Sequence, residues 1–259
     1  FRVARKVYAK ILKERFHAKN QKSLQLKFHT QTSGESLTAQ QPDNNIVRVA
    51  MQTMASVLGG TQSLHTNSRD EALALPTEES AKIALRTQQI VAHESGITKT
   101  VDPMGGSHYL EELCDEIEEQ TWKYLTRIDK MGGSLKAIEK GFFQAEIRQN
   151  AYRLKKEVDD DSRILIGVNK FVDKSEAKQK LLRIDDSLGR KQEKAINALR
   201  KSRDNKKTDR ALSKLQSAAE TDNNLMPLIL NSVKAYATTG EISNTLREVF
   251  GEYRPKEIF

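Results

Sequence analysis

Apolar side chains recur at spacings of three and four from the start of the chain: Val3, Val7 with Tyr8, Ile11 with Leu12, then Phe16. Basic residues fill the positions between them, which predicts an amphipathic helix over residues 1 to about 16. The pattern then changes period. Ser23 to His29 alternates apolar and polar side chains, a strand signature, and Thr30 to Gly34 is a polar break. After Pro42, Asp43 or Asn44 can cap a helix running to Leu58, stopped by Gly59-Gly60. Thr61 to Leu64 reads as a short extended segment, followed by a polar break from His65 to Asp70. Thr77 precedes Glu78 and Glu79 and caps a long amphipathic helix ending near Ser95 and Gly96. Strand, loop and helix thus occur twice in order. That alternation predicts α/β units with parallel strands.

Beyond Gly106 the pattern is almost wholly helical. Helices are predicted over 108–131 and 134–158, separated by Gly132-Gly133. The apolar run Ile164 to Val168 reads as a buried strand. Further helices are expected over about 175–184, 187–204, 207–220, 225–238 and 242–250, with Lys201 to Arg210 as a polar surface loop. The chain shows no internal repeat and no low-complexity tract.

Composition narrows the class. With 37% hydrophobic residues in 259, the chain can bury a core, which excludes wholesale disorder. A mean hydropathy of −0.65 and the lack of any long apolar run argue against a membrane-spanning protein. Cys114 is the one cysteine, which excludes intramolecular disulfides and all-cysteine metal sites and suggests a reducing, cytoplasmic setting. The opening residues are too basic and too broken for a signal peptide, and a start on Phe1 rather than Met suggests a piece of a longer protein.

The net charge of +8 invites a nucleic-acid reading. Residues 1–30 hold nine basic groups and one acid, Glu14, so that 9 − 1 = +8 is the entire excess. The remaining 229 residues carry 34 basic and 34 acidic groups. A basic helix with one apolar face is more commonly an outer element or a subunit contact, so neither a nucleic-acid nor a membrane partner is expected.

The familiar phosphate-cradling, nucleophile-elbow and zinc motifs are absent, and the five histidines never fall at metal-ligand spacing. Two polar segments stand out instead: His29-Thr-Gln-Thr-Ser-Gly34, and Gln62 to Ser68 followed by Asp70 to Ala74. Both lie at the carboxyl end of a predicted strand, the side on which parallel α/β folds bind ligands. Their groups are largely uncharged hydrogen-bonders, suited to holding a polar ligand. The same residue types also build caps and turns, and residue type leaves both readings open.

These segments belong to a longer ordered set: Ser36-Leu-Thr-Ala-Gln40, Asn44-Asn45, Gly60 to Asn67, Asp70-Glu-Ala72, Glu94-Ser-Gly96, Val101-Asp-Pro103 and Ile166-Gly-Val-Asn-Lys170. The set resembles the large, catalytic chain of methylmalonyl-CoA mutase and its acyl-CoA mutase relatives, over residues 1 to about 253. The resemblance implies a (β/α)8 barrel with adenosylcobalamin against its carboxyl face and an acyl-CoA along its axis. It implies a radical carbon-skeleton rearrangement, in the first place of (R)-methylmalonyl-CoA to succinyl-CoA. Isobutyryl-, ethylmalonyl- and 2-hydroxyisobutyryl-CoA are the alternative substrates, and a non-catalytic assembly subunit is the alternative role.

By position, His29 and Gln62 match residues of the substrate channel. Gln31, Gly34, Asn67, Glu71 and Ala74 match positions facing the corrin or the adenosyl ribose, and Lys22 matches a lysine near that carboxylate. Two departures follow. Glu35 stands where many members have a bulky apolar residue, and the Asp-x-His-x-x-Gly signature of the cobalamin domain is absent. The two βα units would be the last two of the barrel, giving a barrel portion over 1–106. A helical region over 107–259, with one short strand near 163–168, would lead toward a cobalamin domain. The implied partners are the N-terminal barrel portion, a separate cobalamin-binding subunit or domain, and a dimeric or heterotetrameric assembly; activity is not expected of this chain alone.

Overall fold

The basic face of the first helix finds its counter-charges within the protein. In the computed structural model, which describes residues 1–174 and 181–254, α1 (Arg2–Glu14) lies against α4 (His108–Lys130). Val3 and Val7 are buried, and the cations one turn apart meet a ladder of acids. Arg2 pairs with Asp102 and Glu111, Lys6 with Asp115 and Glu118, Lys10 with Glu118, and Arg15 with Asp129. Glu118 is buried on this seam and also accepts from Trp122 Nε1 at 3.2 Å. Hydrogen bonds from Lys10 and Lys6 hold its carboxyl at about 2. Arg5 turns the other way and donates to the Gly59 carbonyl at 2.7 Å.

The chain divides into two compact units, one spanning Phe1–Leu182 and a second beginning at Arg183. The first is helix-rich α/β. Its sheet has two parallel strands, β1 (His29–Gln31) and β2 (Ser63–His65), in the register His29 to Ser63, Thr30 to Leu64 and Gln31 to His65. The crossover between them is α2 (Asn44–Leu58), and α3 (Glu78–His93) follows β2 and packs on α2. Thr77 caps α3 by accepting from the Ser80 amide, as its position predicts. Asp43 precedes α2 but does not cap it; its carboxylate accepts from Arg69 at 2.7 Å instead.

β1 differs from expectation. The alternation from Ser23 to His29 predicts a strand there, yet Gln21–Leu24 is a 3₁₀ turn whose start is capped by Asn20, which accepts from the Lys22 amide at 2.9 Å. Pairing begins only at His29 because β2, the available partner, spans just three residues. Thr30 and Gln31, read as a polar break, are therefore strand.

The remainder of the first unit is helical, with α4 followed by α5 (Ser134–Glu139) and α6 (Phe142–Asp159). The helix expected over 134–158 is interrupted at Gly141, whose φ of 71° lies in the left-handed region that glycine alone enters without cost. Ile164 to Val168 is not a buried strand. It is a turn closed by one bridge between Ile166 and Lys170, and Ile164 and Ile166 are 50% and 40% exposed. Asn169 builds that turn, accepting from the Leu165 amide at 2.8 Å and donating to the Arg163 and Val158 carbonyls. The helix expected over 175–184 lies largely outside the described residues, and residues 181–184 are not helical.

The second unit is helical: α7 (Ser187–Ser202), α8 (Asn205–Ala219), α9 (Met226–Lys234) and α10 (Thr239–Phe250). The loop expected over Lys201 to Arg210 is only a two-residue break. Asp204 caps α8 through the Lys207 amide, so the polar residues read as loop are solvated helix faces. Arg203 donates to both oxygens of Glu241, at 2.7 and 2.6 Å, joining the break to a capping box at the start of α10. Among the described residues, no helix is long and apolar enough to cross a membrane.

Candidate functional site

Strand alternation gives the sheet one helix-covered face and one open face. Thr30 and Leu64 are partly buried, while His29, Gln31, Ser63 and His65 are exposed. Paired residues of adjacent strands share a face, so these four side chains form a polar patch. His29 Nδ1 lies 2.7 Å from Ser63 Oγ, which orients the imidazole.

At the carboxyl end of the strands a second layer converges. Gln31 Nε2 donates to Asn67 Oδ1 at 3.1 Å. The buried Asn67 donates through Nδ2 to the Thr32 carbonyl at 2.9 Å, and its amide donates to Thr32 Oγ1 at 2.9 Å. Gly34 closes over this pair. A Cβ there would stand 3.1 Å from Asn67 Nδ2, 3.3 Å from Glu71 Cγ and 3.4 Å from Glu71 Oε1. Gln31 at the end of β1, Gly34 in the loop after it, and Asn67 and Glu71 in the loop after β2 therefore form one cluster.

The loops are held rigidly from beneath. Gln52 on α2 accepts from the Ser33 amide at 2.9 Å and donates to Ser36 Oγ at 2.6 Å, fixing the turn that carries Gly34. The fully buried Asn45 accepts from the Thr38 amide at 3.1 Å and donates to the Thr38 and Arg69 carbonyls, joining both βα loops to α2. Segment 68–77 wraps around the buried Asp70 carboxylate, which accepts from Ser68 Oγ at 2.6 Å and the Thr77 amide at 3.1 Å. Burial pushes the Asp70 carboxyl up, but the hydrogen bonds from Ser68, Thr77 and Ser80 outweigh it and hold the group below its usual range. Ala74 donates its amide to the Asp70 carbonyl at 2.9 Å, in the turn that presents Glu71 outward. The turn at Ile166 braces the first loop: Arg48 donates to the Ile166 carbonyl and Gln41 Nε2 to the Phe171 carbonyl, both at 2.8 Å.

A match to the methylmalonyl-CoA mutase family model covers residues 1–252. The chain belongs to that family. It is 43% identical to the 2-hydroxyisobutanoyl-CoA mutase large subunit of Aquincola tertiaricarbonis over all of this chain and 46% of that protein. It is also 43% identical to the mitochondrial methylmalonyl-CoA mutase of Mus musculus, over 99% of this chain and 34% of that protein. The methylmalonyl-CoA mutase of Rhizobium meliloti (strain 1021) matches at 43% over 97% of this chain and 36% of that protein. The chain thus spans between about a third and just under half of the length of these relatives.

Two of the family-matched residues stand apart from the cluster. Gln62 is held at the amino end of β2, accepting from the Phe28 amide at 2.9 Å and donating to the Gly60 carbonyl at 2.8 Å. It lines a cavity of about 500 Å³ with Ser63, Leu64 and α2 and α3 residues such as Val57 and Leu85. Lys22 lies exposed in the 3₁₀ turn, and its ammonium makes no ion pair among the described residues. Glu35, the departure from the family pattern, is exposed to solvent, which removes the desolvation cost that a carboxylate would meet in an apolar contact. Thr32, Ser63 and Asn45 fall within segments that stand out in the sequence but carry no individual role there, and Gln52 falls outside them. The strand register identifies Ser63, burial identifies Thr32 and Asn45, and the hydrogen bonds to Ser33 and Ser36 identify Gln52.

Proposed function

We propose that this mutase-family chain is the C-terminal part of the large subunit of an adenosylcobalamin-dependent acyl-CoA mutase. In this reading β1 and β2 are the last two strands of a (β/α)8 barrel, with residues 1–106 in the barrel and 107–259 in the helical region beyond it. The open polar face of His29, Gln31, Ser63 and His65 becomes barrel interior once the other strands are added. The observation that carries the proposal is the convergence of Gln31, Gly34, Asn67 and Glu71 at the carboxyl end of that face.

The cluster suits a flat macrocycle with a polar side group. Gly34, without a Cβ, lets its backbone pack close against Asn67 and Glu71, and Glu71 presents a carboxylate that can accept from two ribose hydroxyls. When bound, adenosylcobalamin supplies the radical chemistry by which an acyl-thioester group and a hydrogen exchange places on adjacent carbons. The chain's own residues bind, orient and exclude water. His29 can donate from Nε2 to a thioester carbonyl when the Ser63 hydroxyl donates to Nδ1. Asn67 holds Gln31 at a fixed height above the strand ends.

The leading substrate is (R)-methylmalonyl-CoA, converted to succinyl-CoA, with isobutyryl-, ethylmalonyl- and 2-hydroxyisobutyryl-CoA as alternatives. The substrate-discriminating residues fall in the N-terminal barrel portion. The axial-ligand domain is a separate subunit or segment, in a cytoplasmic dimer or heterotetramer. The test is reconstitution with the N-terminal barrel portion and a cobalamin-binding subunit, followed by assay of each acyl-CoA. Succinyl-CoA formation from methylmalonyl-CoA is expected; no turnover of any branched acyl-CoA overturns the reading.

A further inference from the structure

Helix α8 carries Lys207, Arg210 and Lys214 at spacings of three and four, which places them on one face. They border a concavity of about 420 Å³ between α8 and α9, and Lys234 of α9 closes its other rim. Leu228 and Ala211 supply apolar lining. None of the four cations makes an ion pair among the described residues, although the second unit pairs other cations, such as Arg203 with Glu241. Asp209, the one acid within α8, acts on Arg203 instead. The two helices are locked beneath the groove by the fully buried Thr208, which donates to the Ala235 carbonyl at 2.6 Å. The groove is therefore preformed, and its like charges repel one another along the helix.

The protein already shows what neutralises such a stripe. On α1, cations spaced by four residues at Arg2, Lys6 and Lys10 meet acids at Glu111, Asp115 and Glu118 of a second helix, with Val3 and Val7 buried alongside. The α8–α9 groove likewise sets cations about one turn apart, here at three and four residues, beside an apolar lining, but lacks the acidic helix. We propose that this groove docks an acidic helical segment of a partner protein, with carboxylates at three- and four-residue spacing around an apolar residue that enters the concavity. The surface lies on the second unit and is independent of the proposed catalytic role.

The experiment uses the full chain and a fluorescein-labelled, helix-stabilised peptide bearing Glu at positions i, i+3 and i+7 around one Leu. Anisotropy should report binding that weakens with salt. It should weaken by about tenfold or more in Lys207→Glu and Lys214→Glu, as expected for reversing charges in a groove-bound pair. A peptide with the facing Glu changed to Lys should recover binding to Lys214→Glu, and an exposed control, Lys191→Glu on α7, should change nothing. Unaltered melting of each variant excludes unfolding as the cause. Binding indifferent to the groove variants overturns the proposal. So does binding of tripolyphosphate without the peptide, which would make this a small-anion site, or peptide displacement by a second copy of the chain.

Discussion

Gly34 lies so close to Glu71 that a Cβ on Gly34 would stand 3.3 Å from Glu71 Cγ and 3.1 Å from Asn67 Nδ2. The glycine is needed here for space. Gly34→Ala should cost about 1 kcal/mol or less if Glu71 swings outward, while Gly34→Val should cost about 1–3 kcal/mol through overpacking. In the reconstituted enzyme, both should weaken cobalamin binding, Val more than Ala, measured by spectroscopic titration.

Asn67 and Glu71 should separate in their effects. Asn67 is buried and makes three hydrogen bonds linking the two loops, so Asn67→Ala should destabilise the chain by about 2–3 kcal/mol in denaturant unfolding. Glu71 is exposed and free of ion pairs among the described residues, so Glu71→Gln should alter stability by less than about 0.5 kcal/mol. Loss of cobalamin affinity without loss of stability in Glu71→Gln is the expected signature of a ligand-facing carboxylate.

Acid should loosen the α1–α4 seam in a defined window. Glu118 is held at about 2 against an ordinary 4.5, chiefly by Lys10 and then Lys6. Because the folded value is depressed, the stabilisation is complete above about 4.5 and disappears as pH falls toward 2. Wild type should therefore be more stable than Glu118→Gln near neutrality, and the difference should shrink through that interval. Denaturant midpoints measured across it provide the check. A constant difference down to the lower limit would contradict the assignment.

The turn at Ile166 should matter to a loop far from it in sequence. Gly167, with φ of 83°, packs its backbone against Gln41; a Cβ there would lie 3.0 Å from the Gln41 amide carbon. Gly167→Ala combines strain with that clash and should cost about 1–3 kcal/mol. Hydrogen exchange should quicken at residues 38–41 as well as around 164–171, whereas Leu135→Ala, an exposed change on α5, should leave both unchanged.

The elements that strong periodicity marks were legible: α1, α2, α3 and α4 follow from their apolar spacing and from Thr77. The strands were harder to place. Three residues offer too little alternation to bound a strand, and Ser23 to Phe28 alternates without a pairing partner in the described residues. Ile164 to Val168 misled because a short apolar run is assigned by hydrophobicity, while Asn169 and Gly167 make it a turn. At the site, the polar loops identified Gln31, Gly34, Asn67 and Glu71 through their resemblance to the family. Residue type could not place Gln62 just ahead of β2 and His29 within β1, because strand bounds are set by pairing.

The register of the sheet also bears on how the chain reaches its native state. His29 meets Ser63 across 34 residues, and the ladder they belong to has only three rungs. Closing so long a loop costs about as much as so few backbone bonds return, roughly a few kcal/mol each. The packing of α2 on α3 must therefore accompany the pairing, and the strands lock only when the helices do. Interactions that tie α2 to both loops, above all those of Asn45, fall at this step and should carry high φ-values in a kinetic unfolding series. The polar face thus forms in one step with the helix seam on the opposite side of the sheet.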